Sequence, residues 1–351
     1  MSYVRRTARL PIKLLALPLA AAIVAGCQGA LPGGVSRSPA SAIAPSALSR
    51  QLRPGAPLPS WMRFRPMAGS GRVYVSMFNF TNVNEYAASN KKNAPPLCAI
   101  PNQHYVNGIG VDRSLNLWVP NANASGLGFT AVFAPSCGKQ LFTIADKDGQ
   151  PASVIFDRKG NAYVENIYGP PSNLLAGNVD VYRVKTRHKV AELTYKDPHT
   201  YIWSDEALDA GGDLFVIYSD IYNKGHVIEF PGSKAPAKSL PISVGFPGGV
   251  AFDSAGNLLV GDQDTAAVSV YAPPFTGSPM ATFSLKAASV PCRFNATRKN
   301  LYCSDFTNSS VDVYGYAAAN PGSTKYLYSF NNGIPHNANN AGIALAPAPP
   351  N

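Results

Sequence analysis

The sequence predicts an all-β protein whose main body is a six-bladed β-propeller, and three observations carry that prediction. A strand–turn–strand unit recurs five times, and the chain ends supply the two halves of a sixth. No segment between Gly71 and Asn351 sustains a helical period. Proline and glycine, at 31 and 30 residues, are as abundant as a chain full of turns requires.

The clearest unit is Gly249–Asp262, GVAFDSAGNLLVGD, in which Asp253-Ser254-Ala255-Gly256 fits a type I turn between two apolar strands. Gly108–Asn121, Ser153–Asn166, Asp205–Tyr218 and Val290–Asp305 follow the same pattern. The turn residues Asp112, Asp157, Asp209, Asp253 and Asn295 are spaced 45, 52, 44 and 42 apart. A period of that size with several short strands in each repeat describes a propeller blade. Gly342–Ala346 (GIALA) matches the first strand of the unit and Gly71–Met77 (GRVYVSM) the second. Ring closure follows, with the last strand pairing beside the first and leaving no open edge. Between units lie further strand pairs, such as Ala266–Pro274 and Ser309–Ala317, whose alternation of valine with polar residues suits outer strands with one solvated face.

The first 70 residues stand apart. Arg5, Arg6, Arg9 and Lys13 precede the apolar run Leu14–Val24, which has the form of an export signal and is short for a membrane span. It ends in Val24-Ala25-Gly26-Cys27, which resembles a bacterial lipobox. That resemblance implies cleavage after residue 26, acylation of Cys27 and attachment to a bacterial membrane outside the cytoplasm; Gln28 rather than Asp in the next position favours the outer membrane. The 43 residues Gln28–Ser70, rich in Ala, Pro, Ser and Gly and without an acidic residue, read as a disordered tether.

Charge narrows the partners. The formal net charge is +10, but nine of the 30 basic residues precede Gly71, leaving 21 against 20 acidic ones in the propeller. No nucleic-acid partner is expected from so balanced a domain. The basic tether suits anionic lipid headgroups. Four cysteines remain after Cys27, an even number for an oxidising compartment. Cys292 and Cys303 flank one turn and would face each other across an antiparallel pair. Cys98 and Cys137 would then join neighbouring blades.

Propeller loops that leave the second strand and enter the first usually share one face around the channel mouth. The candidate binding residues there are Asn107, Asn121, Asn166, Asp262 and Asp305, with Glu165 beside Asn166. Such a ring of oxygens could hold a divalent cation; equally, each acidic residue could simply accept hydrogen bonds from its own loop. His104, His199 and His336 precede first strands and are a weaker zinc set. No Gly-x-Ser-x-Gly elbow, phosphate loop or His-Glu-x-x-His occurs.

The units resemble NHL repeats. Phe246-Pro247-Gly248-Gly249-Val250-Ala251-Phe252-Asp253, with Gly256-Asn257 and Asp262, is the nearest copy; Leu115 replaces the turn glycine in another, and Lys299 adds a residue in a third. There is also a distant similarity to the senescence-marker-protein/gluconolactonase propellers, which are metal-dependent lactonases. Asn107-Gly108-Ile109 looks like one of that family's ligand segments, while Gly248 stands where the family carries an Asp. The expected function is a lipid-anchored module that binds an envelope protein, a peptide or a saccharide, with no evident catalytic residue and no required cofactor. The alternatives are a metal-dependent hydrolase, lactonase or lyase at the channel mouth, and a structural envelope component.

Overall fold

The turn unit explains the strand pairs. In the computed structural model, which describes residues 71–349 apart from 124–125, 148 and 169–176, Asp112, Asp157, Asp209 and Asp253 each sit at the head of a hairpin. One carboxylate oxygen of each accepts two loop N–H groups, at 2.8 and 2.9 Å for Asp253 and 2.8 Å for both at Asp157. Gly160, Gly212 and Gly256 follow with φ of +81°, +92° and +82°, a region that glycine enters without steric cost. Leu115 adopts φ +64° in the copy that lacks the glycine. At Asn295 the inserted residue moves the second accepted N–H to Asn300, at 3.2 Å.

These hairpins extend into six four-stranded antiparallel sheets. Blades 2 to 6 run in sequence, with inner strands Gly110–Val111, Pro151–Phe156, Thr200–Leu208, Pro247–Phe252 and Ser289–Phe294. Blade 1 takes its inner strand, Asn340–Ala346, from the far end of the chain, paired with Arg72–Met77 in the register Tyr74↔Ala344. The chain is a closed six-bladed propeller. Met67–Asn351 forms one compact unit, in which all the described residues fall. The signal segment, Cys27 and the tether lie outside the described residues.

Each pair of neighbouring blades shares its own apolar core. Blade 6 meets blade 1 through Tyr302, Val311 and Val313 against Val73, Val75 and Tyr86. Trp118 of blade 2 packs edge-on against Phe156 of blade 3 at 5.4 Å between centroids, and Phe215 of blade 4 against Phe252 of blade 5 at 4.9 Å. Asp253 adds a polar tie, its second oxygen accepting the Tyr316 hydroxyl of blade 6 at 2.8 Å.

One expectation is corrected. The expected solvated face fails in two third strands, Asn178–Arg183 and Ser310–Gly315, which are buried at five of six positions with Asp180 and Asp312 fully enclosed, because both of their surfaces meet a neighbour. It holds in Ala267–Tyr271, where half-buried Ala267 and Ser269 alternate with buried Val268 and Val270, and Gly225–Phe230 keeps His226 and Glu229 half-buried. The fourth strands, such as Gln140–Ala145 and Lys189–Thr194, alternate or face solvent instead.

Both disulfides form as the sequence suggests. Cys292 and Cys303 are directly paired across blade 6, with Cα atoms 4.1 Å apart. Cys98, on the outermost strand of blade 1, reaches Cys137 in a turn of blade 2. Among the described residues no helix is long and apolar enough to cross a membrane.

Candidate functional site

Laying the repeat copies over one another exposes four charged residues where the other copies carry uncharged ones. Asp205 occupies the place of Gly108, Ser153, Gly249, Pro291 and Gly342 on the inner strands. Glu206 replaces Ile109, Val154, Val250, Cys292 and Ile343. Arg293 replaces Gly110, Ile155, Ala207, Ala251 and Ala344. On the second strands, Glu165 stands where Ser76, Pro120, Ile217, Gly261 and Ser304 stand. Inner-strand side chains in a closed ring face the axis or the neighbouring blades, so these four converge.

Arg293 of blade 6 reaches past blade 5 to Asp205 of blade 4. Its two terminal nitrogens donate to the two carboxylate oxygens, Nη1 to Oδ2 at 2.9 Å. Nη1 also meets the carbonyls of Cys292 and Val250, at 3.1 and 3.3 Å. Asp205 Oδ2 further accepts the Val250 N–H at 2.9 Å. Gly249 makes room for this crossing: at its φ of +139°, an added Cβ would lie 2.8 Å from Asp205 Oδ2. Burial works against the guanidinium's charge, but the Asp205 carboxylate more than reverses this and raises its pKa.

Glu165 and Glu206 form a second, less satisfied pair. Both are enclosed, at 0% and 1% exposure, and none of their four carboxyl oxygens meets a donor of the chain in hydrogen-bond geometry. The Ser153 hydroxyl faces Glu206 without completing a bond. Burial pushes Glu206 up to about 7, and burial together with the Glu206 charge lifts Glu165 well above the carboxylate range. Two adjacent carboxyls without donors cost several kcal/mol relative to apolar residues of similar size, roughly the scale of an unpaired buried charge.

Glu206 and Arg293 belong to the lining of a cavity of about 400 Å³ within the inner channel. Its walls are apolar, with Val154, Phe156, Val250, Phe252, Phe294 and Ile343 among them. Arg113, Arg158 and Arg298 also border it, together with the hairpin residues Asp112 and Asp157 and the segment Pro347–Pro349. The cavity therefore opens toward the hairpin turns.

The residues expected at the channel mouth lie at the opposite ends of these strands, as the pairings Pro151↔Asn166, Pro247↔Asp262 and Ser289↔Asp305 place them. Three of them hold their own loops. Asn121 accepts the His104 N–H at 2.8 Å and donates to Gln103 and Val119. Asp262 accepts from Gly245 and Asp264 at 3.1 and 3.0 Å. Asp305 accepts the backbone and side-chain nitrogens of Asn308, both at 2.8 Å. Asn107 is half-buried, and its carbonyl receives Ser76 Oγ at 3.5 Å. Asn166 is fully buried with neither amide atom paired among the described residues. His104, His199 and His336 are exposed. The one group of three potential metal ligands within mutual reach among the described residues is Glu85 with Cys98 and Cys137, whose sulfurs are joined to each other.

No family model matches the chain, and no curated protein matches it. Solved structures do. A chain of a nidogen/laminin complex aligns with a TM-score of 0.60 at 15% identity, over 79% of this chain and 98% of that one. A Bacteroides caccae protein of unknown function aligns at 0.58 and 11% identity, over 79% and 98%. A provisionally assigned 6-phosphogluconolactonase from Bacteroides fragilis aligns at 0.53 and 12%, over 78% and 85%. The likeness is one of fold. At these identities it carries no site residue from one protein to another.

Proposed function

We propose that this chain is a membrane-anchored, extracytoplasmic binding module that holds a small amphipathic molecule in the cavity of its propeller. The observation that supports this best is the convergence of Glu206 and Arg293 on a space of about 400 Å³ with apolar walls and a charged rim, a size and lining that suit a small ligand fixed by a few polar contacts. The lipobox-like Val24–Cys27 and the tether after it supply the anchor and the reach. Cys27→Ser should shift the chain from the membrane to the soluble fraction in cells competent for acylation; retention on the membrane would rule the anchor out.

The cavity is tested by following thermal unfolding of the purified chain against a panel of small amphiphiles. Binders should raise the melting temperature, and Ala344→Phe, which enlarges a residue bordering the cavity, should cancel the rise. Shifts that survive in a folded Ala344→Phe protein would move the site elsewhere.

A second reading, that the propeller is a hydrolase or lactonase, is favoured by one feature: Glu206, a carboxyl of raised pKa that borders the cavity with Glu165 behind it, is the kind of group acid–base chemistry uses. Turnover of a lactone or ester by the purified chain, with its metal content measured alongside, decides between the two. Turnover that disappears in Glu206→Gln puts catalysis ahead of binding.

A further inference from the structure

Resting on the cavity as the ligand site, we infer that it takes an organic acid, a carboxylate or phosphate head held by arginines at the hairpin rim and carried on an apolar body that fills the channel below. The rim arginines come from three hairpins. Arg113 directly follows Asp112 on blade 2, Arg158 follows Asp157 on blade 3, and Arg298 lies in the hairpin of blade 6; all three border the cavity. Blades 3 and 6 stand opposite each other in a ring of six. Even so, their arginines sense each other: burial lowers the Arg298 pKa, the Asp253 carboxylate opposes this, and the charge of Arg158 lowers it further. Two like charges thus approach across the cavity entrance, and an oxyanion between them would bridge both guanidinium groups.

The carboxylates beside these arginines are spent on their own hairpins. Asp112 accepts the Ser114 and Asn116 N–H groups at 2.8 and 2.9 Å, the Asn116 side-chain amide at 3.0 Å and the Trp118 indole at 3.1 Å. Asp157 does the same with Lys159, Asn161 and Tyr163. Four donors use up the roughly four acceptor sites of a carboxylate. Among the described residues, neither Arg113 nor Arg158 forms an ion pair. Arg298 gives Nη1 to the Asp253 carbonyl at 2.6 Å, a neutral acceptor. Lys159 and Lys299, exposed on the same hairpins, add positive charge to the approach. Below the rim the channel suits the apolar part, lined by Phe156, Phe252, Phe294 and Ile343. Its charged residues offer a ligand little: Arg293 is bound to Asp205, and both Glu206 carboxyl oxygens are enclosed. A cation would meet guanidinium groups at the entrance, and an uncharged amphiphile would leave them unmatched.

The test is calorimetric titration of the whole purified chain at pH 7 with octanoate, octyl phosphate, octanol and octylamine, and with acetate and inorganic phosphate as bare heads. The better of the two octyl acids should bind at least tenfold more tightly than octanol, and the amine most weakly; octanoate against octyl phosphate decides which head is preferred. Acetate and inorganic phosphate should each bind at least tenfold more weakly than their octyl counterparts. Arg158→Gln changes an exposed hairpin residue outside the blade cores. It should cost the better acid at least fivefold in affinity and leave octanol within twofold. Raising sodium chloride from about 50 to about 500 mM should have the same selective effect.

Octanol or octylamine binding as tightly as the better acid, or acid binding unchanged in Arg158→Gln, overturns the organic-acid assignment and leaves the cavity as a ligand site. A bare head that matches its octyl counterpart overturns the apolar body. Failure of all six compounds to bind at millimolar concentration overturns both the assignment and the cavity.

Discussion

Glu206 gives the domain a stability profile that slopes against most acidic side chains. Both it and Glu165 titrate higher in the folded chain than in the unfolded one, because burial opposes their charge. The folded state therefore holds extra protons from about pH 4.5, the ordinary value, up through about pH 7, where Glu206 ionises, and Glu165 holds its proton further still. Stability is fully present below that window and is lost as the pH rises through it. The glutamate pair together accounts for a decline on the order of a few kcal/mol, and Asp312, raised by burial to about 6, adds to it. Thermal unfolding followed from pH 5 to pH 8 should show the melting temperature falling, and Glu206→Gln should shrink the fall to what Glu165 and Asp312 supply. A wild-type profile that rises over this range would mean the pair is not enclosed as described.

Among the elements, the hairpins were the most legible part of the sequence, because their determinants are local. An Asp that takes two loop amides and a glycine at positive φ lie within five residues of each other, so each copy announces itself. The departures were legible too. Leu115 spends a left-handed conformation where its sister hairpins use glycine, and its side chain is 43% exposed, so little packing would be lost by removing it. Leu115→Gly should stabilise the domain by about 1 kcal/mol, read as a higher denaturation midpoint with an unchanged denaturant slope; destabilisation would show that the side chain packs more than its exposure indicates. The site itself was hidden for the opposite reason. Glu165 comes from a second strand, Asp205 and Glu206 from the inner strand of the next blade, and Arg293 from an inner strand two blades further on. No window of sequence contains them, and attention to polar residues at loop ends led to Asn121, Asp262 and Asp305, which bind their own loops. The signal available was register: aligned copy by copy, the four charges stand out where their counterparts are uncharged.

For the whole molecule, six inter-blade cores close a ring, and the ring depends on one strand. Asn340–Ala346 covers the edge of Arg72–Met77 and completes the core between blades 6 and 1 through Ile343 and Leu345. Removing residues 340–351 should abolish cooperative unfolding, seen as the loss of a single sharp calorimetric transition, whereas a retained transition would mean the blades stand without closure. The number of blades and this closure could be read from the two half-copies at the ends, since a propeller with a missing half-blade leaves an unpaired edge. The same pairing sets a timetable. Tyr74 and Ala344 are neighbours in the ring but some 270 residues apart in the chain. During synthesis, the first strand must therefore wait, edge bare, until nearly everything else has arrived. Contacts of such long range form slowly, and waiting strand edges recruit wrong partners. Folding of this domain is thus a race between its own last strand and any stray one, which makes dependence on a chaperone the behaviour to look for when the chain is produced in the cell.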